Sequence, residues 1–152
     1  MSLEIEATAT SFAAPEVIFK HLCVAEAWDE WGTFLTRPRR ERAGDGHPNG
    51  IGAIRRIPPR RDKVVEWDPP WHYAYVTLGT LAPRGFRADI TLVPQGSNTL
   101  IQWRGLFEPR FPGAGSLTSS RLQRRLDSYA RRVAWHSERC EPGCPARLPG
   151  VL

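Results

Sequence analysis

Residues 116–139 carry one narrow apolar stripe, Leu122, Leu126, Tyr129 and Val133, at spacings of 4, 3 and 4. That spacing predicts a single long helix with one face to bury. Such a helix needs an apolar surface to dock on, and the chain before it offers mainly strands. Leu3–Ser11 alternates, with Leu3, Ile5, Ala7 and Ala9 on one face and Glu4, Glu6, Thr8 and Thr10 on the other. This predicts a half-buried strand. Ala14-Pro15-Glu16 then opens a short helix, with proline near its first position and an acid at the positive end of its dipole. Residues 25–31 predict a second short helix, ending at Gly32.

The middle of the chain is strand-rich and broken by turn residues. Residues 44–50 form a turn by composition, 51–57 a strand, 58–61 a bend and 64–67 another strand, stopped by Asp68-Pro69-Pro70. Residues 71–78 predict a strand with Tyr73 and Tyr75 on one face. Residues 86–94 set Phe86, Ala88, Ile90 and Leu92 against Arg87, Asp89, Thr91 and Val93. A hairpin loop at 94–98 leads to residues 100–107, with Ile101, Trp103 and Phe107 on one face. Pro142, Gly143, Pro145 and Pro149 stop any helix, so residues 1–139 are expected to form the domain and 140–152 a flexible Pro/Gly-rich tail. This order of elements predicts an α+β fold, with helices on one face of an antiparallel sheet.

Composition excludes several classes. The 152 residues suit one domain, and 41% hydrophobic with 24% charged residues excludes wholesale disorder. No apolar run approaches the ~18 residues of a transmembrane helix. Residues 1–10 show no basic-then-apolar leader pattern, so the expected location is cytoplasmic. Three cysteines, an odd count, argue against a disulfide framework. Cys140 and Cys144 have no second ligand pair in sequence, only His136 nearby, so no metal site is expected. No phosphate-binding loop, nucleophile elbow or paired-histidine motif is present, and no cofactor is expected. Residues 37–61 carry eight arginines against Glu41 and Asp45. Without a nucleic-acid motif they read as a solvated hairpin beside an acidic neighbour, with weak, salt-sensitive nucleic-acid binding at most.

Four segments carry a family resemblance: APEVIFKHL, VVEWDPPWHYAY, RADITLVPQGSNTLIQWRGLFEP and the closing amphipathic helix. Asp68-Pro69-Pro70 followed by Tyr75, and then a hairpin ending in an apolar-x-Trp strand, is the most specific part of that order. Over residues 2–138 the chain resembles the START-like helix-grip superfamily, the polyketide cyclase/dehydrase and lipid-transport group. The resemblance implies a curved antiparallel sheet of about seven strands wrapped around the C-terminal helix. An apolar cavity between them would take a lipid, sterol or polyketide-like ligand. The segment PPRRD is short for the third and fourth strands, so a shortened or irregular edge strand is expected.

The side chains read as facing this cavity are Trp67, Tyr73, Tyr75, Phe86, Ile90, Trp103, Leu122, Leu126, Tyr129 and Val133, with Trp28 and Trp31 near its mouth. The inward set contains no Asp, Glu, His, Lys or Cys, and general acid–base catalysis needs a titrating group within reach of substrate. No catalytic residue is therefore assigned. His72, beside Asp68 or Glu66, reads as a solvated surface histidine. Asp29 and Glu30 are the carboxylates that could stand at the mouth, with Arg55 and Arg104 as alternative mouth charges, and all four read first as solvated surface groups. The reading is a binder or carrier of a bulky apolar or aromatic molecule, as a monomer or homodimer. The alternatives are a polyketide cyclase/aromatase, and a protein-interaction module of the Hsp90-activator type.

Overall fold

The sheet pairs its last strand with its first. In the computed structural model, which describes residues 2–80 and 83–152, the strands are β1 (Leu3–Ser11), β2 (Arg39–Arg42), β3 (Ile54–Ile57), β4 (Arg60–Asp68), β5 (His72–Leu78), β6 (Arg84–Gln95) and β7 (Asn98–Glu108). They form one antiparallel sheet in the order β1-β7-β6-β5-β4-β3-β2. Only β1 leaves chain order, pairing Leu3 with Phe107 and Ala7 with Trp103. The helices are α1 (Pro15–Cys23), α2 (Trp28–Trp31) and α3 (Gly115–Glu138), with 3-10 turns at Ala25–Ala27 and Pro145–Arg147. This is the helix-grip α+β architecture.

Local chemistry explains the main joints. The β6–β7 hairpin turns through Gly96-Ser97, with Gly96 at a φ of 63°. A two-residue hairpin needs a left-handed residue there, and only glycine enters that region without a Cβ penalty. Gly105 answers a packing demand, since a Cβ would stand 3.0 Å from Ile5 Cγ1 and 3.2 Å from Phe86 Cε2. α3 buries Leu122, Leu126, Ala130, Val133 and Ala134. It is tied to β1 by Ser11 Oγ donating to Ala134 O (2.9 Å) and Gln123 Nε2 donating to Glu6 O (2.7 Å). The free carbonyls at the end of α1 take donors from the interior: Trp28 Nε1 and Arg55 Nη1 reach Leu22 O, and Trp31 Nε1 reaches His21 O.

Three expectations change. First, β4 begins at Arg60, not Val64, because Arg60, Asp62 and Val64 alternate inward along it. A register shift between Val64 and Glu66 then brings Val64, rather than Val65, into the core. Second, PPRRD is the β3–β4 turn and the start of a nine-residue β4, and the shortened, irregular edge strand is instead the four-residue β2, with a register shift against β3. Third, residues 140–152 are not a loose tail. Cys144, Ala146 and Val151 are buried. Asn49 Nδ2 donates to Val151 O at 3.2 Å, and His47 Nε2 lies 3.1 Å from Gly150 O. The inward side chains of this segment follow no helix or strand period, so periodicity could not show them. Among the described residues, no helix is long and apolar enough to cross a membrane.

Candidate functional site

The interior under the β3–β4 side of the sheet is charged. Arg55, Arg60 and Asp62 face inward, with Arg55 and Asp62 fully buried and Arg60 nearly so. Asp62 accepts from Arg55 Nη2 (3.3 Å), Arg60 Nε (3.2 Å) and Thr77 Oγ1 (3.2 Å). The Arg55 guanidinium also lies 4.9 Å from the Trp28 ring, 5.3 Å from Tyr73 and 5.1 Å from Tyr75. One buried carboxylate thus pairs with two cations, which leaves one positive charge in excess, and the guanidinium faces rest on aromatic rings. Burial works against the charge on Arg60, but Asp62 together with Tyr129 and Tyr75 outweighs it and holds its pKa above the ordinary guanidinium value.

An aromatic cluster fills the space next to this network. Trp28 packs against Trp31, Tyr129, Trp103 and Tyr75 at centroid distances of 4.7, 5.4, 5.9 and 6.3 Å. The wide cavity expected here is filled by these rings. What remains is a void of about 10 Å³ bordered by Arg60, Tyr75, Phe86, Leu122, Leu126 and Tyr129. Tyr73 OH, Tyr75 OH and Trp103 Nε1 are buried and have no hydrogen-bond partner among the described residues. Burial pushes both phenols up, so they are neutral donors at pH 7.

The void adjoins a larger groove. Arg60, Pro83, Leu122 and Arg125 border both. The groove has a volume of about 290 Å³, between the start of α3, the β3–β4 turn and the β5–β6 loop. Its apolar walls are Pro59, Pro83, Phe111, Ala114 and Leu122, and its charges are Arg60, Arg110, Arg121 and Arg125, with no carboxylate in the lining among the described residues. Arg60 Nη1 donates to Tyr129 OH at 3.2 Å, which leaves the Tyr129 proton free to donate.

Of the residues read from the sequence as lining the cavity, Tyr75, Phe86, Leu122, Leu126 and Tyr129 come together at the void. Tyr73, Trp103, Trp28 and Trp31 form the packed layer behind. Trp28 and Trp31 are buried at the centre rather than placed at a mouth, because their indole N–H groups are used on α1. Trp67 stacks on His47 at 5.0 Å, away from the groove, while Ile90 and Val133 are fully packed core. Arg55 is an interior residue, not a mouth charge. Arg104 pairs with Glu4 on the outer face (2.7 Å), and Asp29 lies 3.8 Å from exposed Arg37. Arg60, Arg125 and Phe111 carry no hydrophobic-period signal. Only the nearness of Pro59 and Arg60 to a strand end could have indicated them.

The basic segment divides in the structure. Arg39, Arg56 and Arg61 gather at Glu41, at 3.8, 3.8 and 2.8 Å, while Arg55 and Arg60 turn inward. On the outer sheet face, His72 sits between Glu66 (2.7 Å) and Asp89 (3.0 Å), and Arg87 bonds to both carboxylates. Partial burial works against the Asp89 charge, but Arg87 and His72 outweigh it and hold Asp89 below the usual carboxylate range. A separate cluster of His21, His136, Cys140 and Cys144 lies where the tail meets α1 and α3.

The family described as polyketide cyclase/dehydrase and lipid transport matches residues 2–134. The chain belongs to this family. No curated protein matches its sequence. Among solved structures, a START superfamily protein from Mycobacterium smegmatis is 16% identical, with a TM-score of 0.72 over 91% of this chain and 99% of that one. Ara h 8.0201 is 12% identical, with a TM-score of 0.72 over 90% and 98%. Norcoclaurine synthase from Thalictrum flavum, solved with dopamine and hydroxybenzaldehyde, is 14% identical, with a TM-score of 0.68 over 93% and 89%. At these identities the likeness is one of fold. Family and fold together make this a small-molecule-binding or cyclase/dehydrase-like protein.

Proposed function

We propose that this member of the family binds a small aromatic or apolar molecule with an anionic end in the groove at the start of α3. The observation that carries the reading is the groove lining: apolar walls, four arginines and no carboxylate, beside a buried layer with unpartnered donors. The volume of about 290 Å³ sits at the low edge of the ~300–1,000 Å³ usual for ligand pockets, which favours one or two rings over the bulkier ligand expected from sequence. Burying about 150–200 Å² of apolar ligand surface contributes roughly 4–5 kcal/mol. One charge-assisted hydrogen bond adds about 1.5–3 kcal/mol, which together corresponds to a Kd on the order of 10 µM.

A polyketide cyclase or aromatase is the second reading, favoured by Arg60, Tyr75 and Tyr129 as donors able to polarise a carbonyl. It lacks a base. Among the described residues the groove is lined by no carboxylate, histidine or lysine, and three donors occupy Asp62. Binding is therefore the preferred function.

The test is a tryptophan-fluorescence titration with 1-naphthoate and with naphthalene, its neutral counterpart. Micromolar binding of the anion, about tenfold weaker binding of the hydrocarbon, and loss of both in Thr118→Trp are expected. No binding of either, or equal binding in Thr118→Trp, would overturn the proposal.

A further inference from the structure

The cluster at the tail has the composition and spacing of a metal site. His21 comes from α1, His136 from α3, Cys140 from just beyond α3 and Cys144 from the tail. One ligand atom of each lies within 4.8 Å of all the others. Cys144 Sγ is 3.6 Å from His21 Nε2 and 3.8 Å from His136 Nε2. A tetrahedral zinc ion, with Zn–S of ~2.3 Å and Zn–N of ~2.0–2.1 Å, sets its ligand atoms roughly 3.4–3.8 Å apart. The two sulfur–nitrogen separations fall in that range. The widest pair would have to close by about 1 Å, within the reach of side-chain rotation.

The surroundings suit an ion. His21 Nδ1 lies 2.8 Å from Val17 O, one helical turn back. Donating to that carbonyl fixes the ring and leaves the Nε2 lone pair pointing into the cluster, as outer-shell partners of metal-bound histidines do. Arg147 Nε donates to Cys140 Sγ at 3.3 Å, which holds that sulfur beside the cluster. An open cleft of about 490 Å³, lined by Glu30, His136, Glu141 and Cys144 among others, leads from the cluster to solvent and gives an ion a route in.

We propose that His21, His136, Cys140 and Cys144 form a zinc site that clamps the C-terminal segment onto α1 and α3. Two thiolates and two imidazoles in a tetrahedron select zinc over magnesium or calcium, which take oxygen ligands. Four protein ligands close the coordination sphere, so the site is structural and leaves no position for substrate. Two thiolates also cancel the charge of the dication, which suits a place where His21 and Cys144 are buried. The ligands are scattered over residues 21–144, which is why the spacing of Cys140 and Cys144 alone pointed to no metal. This inference is independent of the groove, and Thr118→Trp should leave it untouched.

The test uses the full chain, purified under reducing conditions, stripped with a chelator and refilled with Zn²⁺ or Co²⁺. The expected result is one zinc per chain by native mass spectrometry. The Co²⁺ form should show thiolate-to-metal charge transfer and the strong visible bands of a tetrahedral centre. Cys140→Ser and His136→Gln lie on the less buried side and should each weaken zinc binding by about 100-fold or more in chelator competition. Cys23→Ser and His47→Ala should bind as the parent does. Zinc should raise the Tm of the parent chain but not that of Cys140→Ser. A Co²⁺ spectrum without thiolate charge transfer, or zinc retained equally by Cys140→Ser and His136→Gln, would overturn the proposal. So would failure of the reduced parent chain to retain zinc. A chain that keeps its helix and strand signals but forms only a Cys140–Cys144 disulfide would also overturn it.

Discussion

The two halves of the sheet solve the same packing problem with opposite chemistry. Across β1, β7 and β6 the inner face is apolar, with Ile5, Ala7, Ile90, Leu92, Ile101, Trp103 and Phe107 buried, while charges such as Glu4 and Arg104 pair outside. Across β3 and β4 the charges lie inside, where Arg55, Asp62 and Arg60 hold the aromatic layer and reach Leu22 O and Tyr129 OH. The first half is a scaffold that stabilises by area removed from water. The second places fixed cations and donors beside the groove, and it is stable only while its charges stay paired.

The sharpest way to break the contrast is to remove one interior charge. Asp62→Ala leaves two buried guanidinium groups without their carboxylate and should cost about 3–5 kcal/mol in urea unfolding. A loss below ~1 kcal/mol would mean that Arg55 and Arg60 reach water in solution. On the apolar half, Ile101→Val removes one buried methylene and should cost about 0.5–1.5 kcal/mol. Deleting residues 142–152 exposes the surface under Ala146 and Val151 and should cost more than ~1 kcal/mol, where a loose tail would cost nothing measurable. Arg104→Ala breaks an exposed pair and should change stability by less than about 1 kcal/mol.

The smallest effect concerns acid. The folded-state pKa of Asp89 is depressed, so its contribution is present above the ordinary carboxylate value and is lost as pH falls through the folded pKa. Asp89→Asn should flatten the fall in Tm between about pH 5 and pH 3 and leave the neutral-pH slope unchanged. An unaltered acid limb would show that Asp89 is not held by Arg87 and His72.

The same contrast explains what the sequence made legible. Leu3–Ser11, β6, β7 and the stripe of α3 follow apolar periods of two or 3.6 residues, and those elements are read with ends near those observed. β4 begins with Arg60, Arg61, Asp62 and Lys63, where both faces are charged and alternation carries no hydrophobic signal. Sequence pattern therefore reads Arg60 and Arg61 as part of a bend and starts the strand only at Val64, which hides the buried ion network and one wall of the groove. Sequence pattern places Trp28 and Trp31 near a cavity mouth, but their depth depends on hydrogen bonds to α1 carbonyls that no local pattern encodes. His21 and Cys144 meet only because the tail folds back, a contact without a sequence period.

The central claim is that the groove at the start of α3 is the ligand site. Backbone amide shifts of ¹⁵N-labelled protein, followed while 1-naphthoate is added, test it most directly. The account expects the largest changes at Phe111, Ala114, Thr118, Leu122 and Arg60, saturating together, with little change at Val151 or Thr8. Changes centred on the C-terminal segment around Val151, or none at all up to millimolar ligand, would contradict it.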